Sequence, residues 1–324
     1  MNSRARVATV CQNGARFGDV AQNREYVLSL LDSALAVEPD LVCLPETFTT
    51  VGIEDRSGNA EPVPGPTTEA CARRAREANA YVVCPIRTIR EGVEWNSAVI
   101  IDRSGDIIGI YDKAHPVTTS EDYTSMEFGV RPGPQTPPVF DLDFGRVGIQ
   151  ICYDAGFPET WQDLAEQGAR LVLWPSAYNG GFPLRLYAYL HHYHVVSSVQ
   201  RDKSRIVDPL GVVRAETDER LHIVHRDINL DFVVSHWDFN YTVPDEIRKA
   251  YGPRVAITSD RDSAHFLVEP IDPAVRVDEL QREIGFESTS EYHNRHRASY
   301  QLLRAGQDAP PQRAAHAGRY QYSR

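Results

Sequence analysis

The stretch Gly148-Ile149-Gln150-Ile151-Cys152-Tyr153-Asp154 decides how this chain is read. Val147, Ile149 and Ile151 are apolar and β-branched at alternate positions, the pattern of a buried strand that ends at Cys152. Phe157-Pro158-Glu159-Thr160 then opens a helix, with Pro158 where a missing N–H costs nothing, Trp161, Leu164 and Ala165 on one face, and Gly168 as the stop. A strand, a turn and a helix thus present one thiol at a sheet's edge, where backbone N–H groups of the turn can face a substrate. From this stretch alone, a buried structural cysteine fits as well as a reactive one.

The 324 residues leave room for one large domain or two ordinary ones, and the composition is that of a water-exposed globule. A net charge of -11 without a basic tract argues against nucleic acid and anionic membranes as partners and favours small molecules or proteins. The five cysteines, at positions 11, 43, 71, 84 and 152, show neither zinc-site nor Cys-x-x-Cys spacing. That usage fits a reducing compartment, and the start of the chain lacks the apolar segment of a signal peptide, so a cytoplasmic location is expected.

Strand and helix patterns alternate from Val7 onward, with hairpins between them, which predicts an α/β class with mixed sheets. The predicted strands are Val7–Cys11, Leu41–Leu44, Tyr81–Ile86, Ser97–Asp102, Asp106–Tyr111, Leu171–Trp174 ended by Pro175, Ser204–Val207, Val212–Ala215, Leu221–Val224 and a last one containing Asp227–Asn229. Helices are expected over Val20–Ala36, from a Thr67 cap to Asn79, and over Leu184–Val195. Glu46 follows the second strand directly, either as a solvated loop acid or as a base held at a sheet edge. Lys113 follows the first hairpin, and a long loop from Ala114 to Pro138 comes after it. Past Leu230 the chain turns aromatic and charged, with Trp237, Phe239, Tyr241 and Phe266 offering apolar surface, and past Gly306 it turns polar.

Leu44-Pro45-Glu46-Thr47-Phe48, Tyr111-Asp112-Lys113-Ala114-His115 and Gly148 to Asp154 followed by Phe157-Pro158-Glu159, in that order, resemble the nitrilase superfamily of carbon-nitrogen hydrolases. The likeness extends to Trp174-Pro175-Ser176-Ala177 and Ile206-Val207-Asp208-Pro209-Leu210-Gly211. It implies an αββα sandwich that pairs with a second copy, residues 1–230 as the hydrolase domain, 231–305 as an extension packing at a dimer interface, and 306–324 as a loose tail. It also implies Cys152 as nucleophile, Glu46 as general base, and Lys113 with the Tyr153 N–H as donors to the oxyanion. Glu127, with Glu121 as the alternative, matches a second glutamate that positions substrate and holds Lys113. His115 and Ala177 would stand beside the substrate, and the scheme requires no metal or organic cofactor.

The chain departs from the family pattern where an Arg-Ala-x-Glu-Asn helix segment is common, showing Tyr187, Ala188, Leu190 and His191 instead. His191, His192 and His194 lack a carboxylate spaced to complete a metal site. Arg185, Tyr178 and Arg131 are candidates for a substrate carboxylate or are surface and packing residues, and Asp154 is a candidate cap for the helix that follows. Tyr153-Asp154 resembles the amidase and carbamoylase branches, which implies hydrolysis of a small carboxamide or N-carbamoyl compound through a Cys152 thioester. Nitrile hydrolysis on the same residues, or a noncatalytic protein that kept the fold, are the alternatives.

Overall fold

Successive residues of a strand send side chains to opposite faces, and here both faces are apolar and buried. A computed structural model describes residues 3–119, 121, 125–260 and 263–310. They divide into two compact units, Ser3–Leu230 and the chain from Asp231 on.

The first unit runs β1 (Arg4–Val10), α1 (Val20–Leu35), β2 (Leu41–Cys43), α2 (Pro66–Ala78), β3 (Tyr81–Arg90), β4 (Val93–Ile101), β5 (Ile107–Asp112), β6 (Val139–Leu142), β7 (Gly145–Ile149), α3 (Pro158–Glu166), β8 (Leu171–Ser176), α4 (Gly181–His191), β9 (His194–Val199), β10 (Arg205–Val207), β11 (Val213–Glu216) and β12 (Ile223–Asn229). Two six-stranded mixed sheets result, β12-β1-β2-β3-β4-β5 and β11-β10-β9-β8-β7-β6. Val7, Leu41 and Cys43 of the first sheet meet Ile149, Leu171 and Leu173 of the second in one core. Their neighbours Ala8, Val42 and Leu44 face the other way, onto Val27 and Leu31 of α1 and Cys71 of α2. Val172 and Trp174 likewise face Trp161 and Leu164 of α3 and Leu184 of α4. Helix, sheet, sheet and helix therefore form an αββα sandwich whose central layer is apolar on both sheet faces.

Several local expectations need correction. The helix starting near Leu184 ends at His191, not Val195; His192 adopts φ +52°, and the β-branched run from Val195 belongs to β9. Pro175 does not end β8: β7 pairs only as far as Leu173, so Pro175 is paired to β9 alone, a setting that tolerates its missing N–H. Gly65 rather than Thr67 starts α2, its N–H donating to Thr68 Oγ1 at 2.8 Å while Thr67 is held by Glu61. The two strands expected after Leu221 are one, β12.

The second unit has its own sheet, β13-β15-β14, built from β13 (Val233–His236), β14 (Val255–Asp260) and β15 (His265–Pro270), with α5 (Val243–Tyr251), α6 (Val277–Ile284) and α7 (Thr289–Arg304). Val243, Ile247, Phe266, Val268 and Leu280 form its core, with Trp237 packed against Phe266 at 5.1 Å between ring centroids. The sequence reading saw this region's apolar surface but not the sheet. Of the tail expected from residue 306, residues 311–324 lie outside the described residues.

Candidate active site

Cys152 sits where β7 has ended and a short 3-10 turn, Cys152–Gly156, begins. Its φ is +48°, a left-handed conformation that costs a non-glycine residue energy and must be held by surrounding contacts. Those contacts are hydrogen bonds: Trp174 Nε1 donates to the Cys152 carbonyl at 3.1 Å and Trp161 Nε1 to that of Asp154 at 3.0 Å. Gly148 lets α3 come close, since a Cβ there would meet Leu164 at 2.8 Å.

Glu46 leaves the end of β2 and is 4% exposed, its carbonyl accepting from Gln200 Nε2 at 2.7 Å. Lys113 leaves the end of β5 and is 1% exposed, with its N–H on the Asn96 carbonyl and its carbonyl accepting from Gly133 N, both at 2.8 Å. Lys113 Nζ lies 3.0 Å from Glu46 Oε1 and also contacts Glu127 Oε1. Asn96 Nδ2 ties the two acids together, donating to Glu46 Oε1 at 2.8 Å and Glu127 Oε2 at 3.0 Å. Arg87, paired with Glu94 at 2.5 Å, donates to the carbonyls of Glu127 and Phe128 and so fixes the loop that carries Glu127.

Glu46, Lys113, Glu127 and Cys152 line one cavity of about 190 Å³, with Asn96 and Ala177 also on its wall. Burial pushes the Cys152 thiol up to about 12, and Glu46 adds to the rise; Lys113, the Ser176 hydroxyl and the Ala177 N–H oppose it. The resting group is therefore a thiol, not a preformed thiolate. For Lys113, burial alone would lower the pKa, but Glu46, Cys152 and Glu127 outweigh it and raise it above the ordinary lysine value. The ammonium is permanent across the physiological range.

Asp154 does not cap α3. Its Oδ2 accepts from Ile151 N at 2.8 Å and Tyr111 Oη at 2.7 Å, and its Oδ1 from His115 N at 2.9 Å. His115 Nδ1 also lies 2.9 Å from Oδ1, and the ring stacks on Phe157 at 3.6 Å. The cysteine turn and the Lys113 segment are thus tied through one buried carboxylate.

A family model described as carbon-nitrogen hydrolase matches residues 6–235. The chain belongs to the carbon-nitrogen hydrolase family. Among curated relatives of this hydrolase, the β-ureidopropionase of Arabidopsis thaliana is 33% identical over 156 residues, a match covering 46% of this chain and 38% of that one. The deaminated glutathione amidase of Synechocystis is 27% identical over 66% of this chain and 88% of its own. The crystal structure of yeast Nit3, from branch 10 of the nitrilase superfamily, superposes with a TM-score of 0.61 at 21% identity over 76% of this chain and 94% of that one, which shows the shared fold.

Of the residues singled out in the sequence, the hydrolase brings Glu46, Lys113, Cys152, Glu127 and Ala177 to one cavity, while Glu121 is exposed. The Tyr153 side chain points outward, 46% exposed, against Phe157. Arg131 is exposed, and Arg185 Nε donates to the Gly211 carbonyl. The histidine trio splits, His191 on α4 and His194 on β9, and no cluster of His, Cys, Asp and Glu suited to a metal occurs among the described residues. Nor is any described helix long and apolar enough to cross a membrane. Asn96, Arg87 and Arg56 were not among the residues singled out from the sequence; the signal for Asn96 was an amide just ahead of the apolar run Ala98–Ile101 of its strand.

Proposed function

We propose that this hydrolase cleaves a non-peptide C–N bond of a small carboxamide or N-carbamoyl compound through a thioester on Cys152. Sγ attacks the carbonyl carbon as Glu46 takes its proton, and the oxygen becomes an oxyanion facing the Lys113 ammonium and the Tyr153 N–H. Collapse breaks the C–N bond, and the nitrogen leaves as ammonia or an amine carrying the proton from Glu46. Water, deprotonated by Glu46, then attacks the thioester and releases the acid, restoring the thiol. Glu127 and Asn96 keep Lys113 and Glu46 aligned.

The observation that carries this reading is that three side chains from three separate strand ends, Glu46, Lys113 and Cys152, line one cavity of about 190 Å³. A permanent ammonium beside a neutral thiol and a carboxylate is what a concerted proton transfer and attack require. The names of the relatives, an amidase and a ureidopropionase, support an amide or ureido substrate over a nitrile. Phe182, Leu186 and Leu190, exposed one turn apart on α4, favour a homodimer formed through that helix, and five free cysteines favour the cytoplasm. We take residues 1–230 as the catalytic domain and assign 231–305 to association between copies.

Ammonia release from a panel of small amides, ureido acids and nitriles, with Cys152→Ala alongside, tests the reaction. Release from amides or ureido acids, absent in the variant, is expected; release from nitriles alone, or an active Cys152→Ala protein, would overturn the reading.

A further inference from the structure

Arg56 borders the cavity that holds Cys152 and two adjoining cavities, of about 190 and 350 Å³. Ala177 is shared by the Cys152 cavity and the first of these, and Arg16 and Gln200 line both of the outer two. Arg201 completes the cationic wall, and Glu54 is its one acidic counterpart among the described lining residues. Three guanidinium groups thus line the cavity that adjoins the Cys152 site, in a chain whose net charge is -11.

These arginines differ from several others in the same unit. Arg87, Arg90, Arg103, Arg205 and Arg214 each lie within 3.1 Å of a carboxylate. Among the described residues Arg16, Arg56 and Arg201 have no such partner; Arg56 Nε is buried without a hydrogen bond, as are those of Arg87 and Arg90, but Arg56 has no carboxylate on its other nitrogens either. The Arg56 guanidinium instead lies 5.5 Å from the centre of the Phe128 ring, next to Glu127. Burial lowers its pKa, Glu46 opposes that, and Arg87 adds to the lowering. Arg56 is partly buried and Arg16 and Arg201 are exposed, and a partly desolvated guanidinium with an unpartnered Nε gains most when an anion arrives to pair with it.

We infer that Arg56, flanked by Arg16 and Arg201, receives a carboxylate of the substrate, so that the hydrolase selects amides or ureido compounds carrying an acid at the end away from the scissile carbonyl. The inference rests on the proposed nucleophile Cys152 for the position of that carbonyl. Arg56 is a specificity-determining residue here, binding the acid while Glu46, Lys113 and Cys152 do the chemistry. A guanidinium fork grips a carboxylate with two hydrogen bonds, which a lysine at the same place does not reproduce.

The test compares kcat/KM for succinamate and glutaramate with that for butyramide, a neutral amide of similar length, in the wild type and in Arg56→Gln, Arg56→Lys, Arg16→Gln and Arg201→Gln. The wild type is expected to prefer the acids, and Arg56→Gln to reduce the acid-to-neutral ratio roughly ten- to hundredfold, mainly through KM. Smaller reductions are expected for the two flanking variants. Melting temperature is followed in each, and Arg56→Lys keeps the question open to a charged, folded variant. Independently, binding of succinate and glutarate to Cys152→Ala, measured by calorimetry with and without Arg56→Gln, reads the site without turnover. Arg56-dependent binding of these diacids upholds the inference even where the wild type releases no ammonia, a result that would sink only the hydrolytic reading. A ratio near one in the wild type, a ratio unmoved by Arg56→Gln, or tighter binding of inorganic phosphate than of glutarate would overturn it.

Discussion

Lys113 Nζ and Glu46 Oε1 form an ion pair 3.0 Å long in which the two side chains are only 1% and 5% exposed. A buried pair of this kind is intolerant of losing one member, because the survivor is left charged without a partner, at a cost of about 3 to 5 kcal/mol. Here the cluster holds Glu127 as well, so removing the lysine leaves two acids joined by Asn96 and stripped of their shared ion-pair partner.

Lys113→Met is therefore expected to abolish turnover and to lower the melting temperature markedly. Lys113→Met combined with Glu127→Gln should regain part of that stability without regaining activity. Thermal unfolding of the single and double variants checks this; a double variant no more stable than Lys113→Met would contradict it. Glu46→Gln should reduce kcat by about 10²- to 10⁴-fold, the usual reach of a lost general base.

Asp154 accepts from Tyr111, His115 and Ile151 at once. Asp154→Asn replaces one acceptor oxygen by a donor, so at least one of those N–H or O–H groups must face another donor. We expect about 2 to 3 kcal/mol of lost stability and a fall in kcat of tens of fold, because the cysteine turn and the lysine segment lose their common tie. Calorimetric unfolding and initial rates measure both. Unchanged values in the variant would show that the carboxylate positions nothing.

With its pKa raised to about 12, the Cys152 thiol keeps its proton at neutral pH in the absence of substrate. Its labelling by methyl methanethiosulfonate should accelerate about tenfold per pH unit from pH 7 to 10 without levelling off. A plateau below pH 8 would mean that the thiolate is preformed.

His194 is buried on β9, and burial, opposed by an Asn229 backbone contact and reinforced by Arg170, Arg226 and Arg214, lowers its pKa to about 3. The unfolded chain binds this proton near pH 6.5 and the folded one does not. Stability is therefore complete above pH 6.5 and falls as the pH drops from there toward 3, by up to about 1.4 kcal/mol per pH unit. His194→Phe should flatten that slope between pH 6 and 4 in urea titrations, and an equal slope in both proteins would contradict the assignment.

The strand ends that deliver Glu46, Lys113 and Cys152 were legible because each follows a short apolar run with a clear stop. The Asn96 link was not, since a side chain in mid-strand reaches Glu46 and Glu127 only when β4 is placed between β3 and β5. The α4 to β9 boundary lacks a glycine or proline; only the left-handed turn at His192 marks it. In the second unit, β13 and β15 pair across some thirty residues of sequence, so no local pattern announces their register. Arg56 escaped notice because a loop arginine looks solvated until it is seen on the wall of the Cys152 cavity without an ion-pair partner of its own.

Cys152 is expected to carry the acyl group during turnover. Rapid quenching of the hydrolase with a substrate amide, followed by intact-mass and peptide mass spectrometry, reads this directly. An adduct on Cys152 equal in mass to the amide less ammonia, absent from Cys152→Ala, is the expected result. Turnover without any such adduct, or with the adduct on another residue, would contradict it.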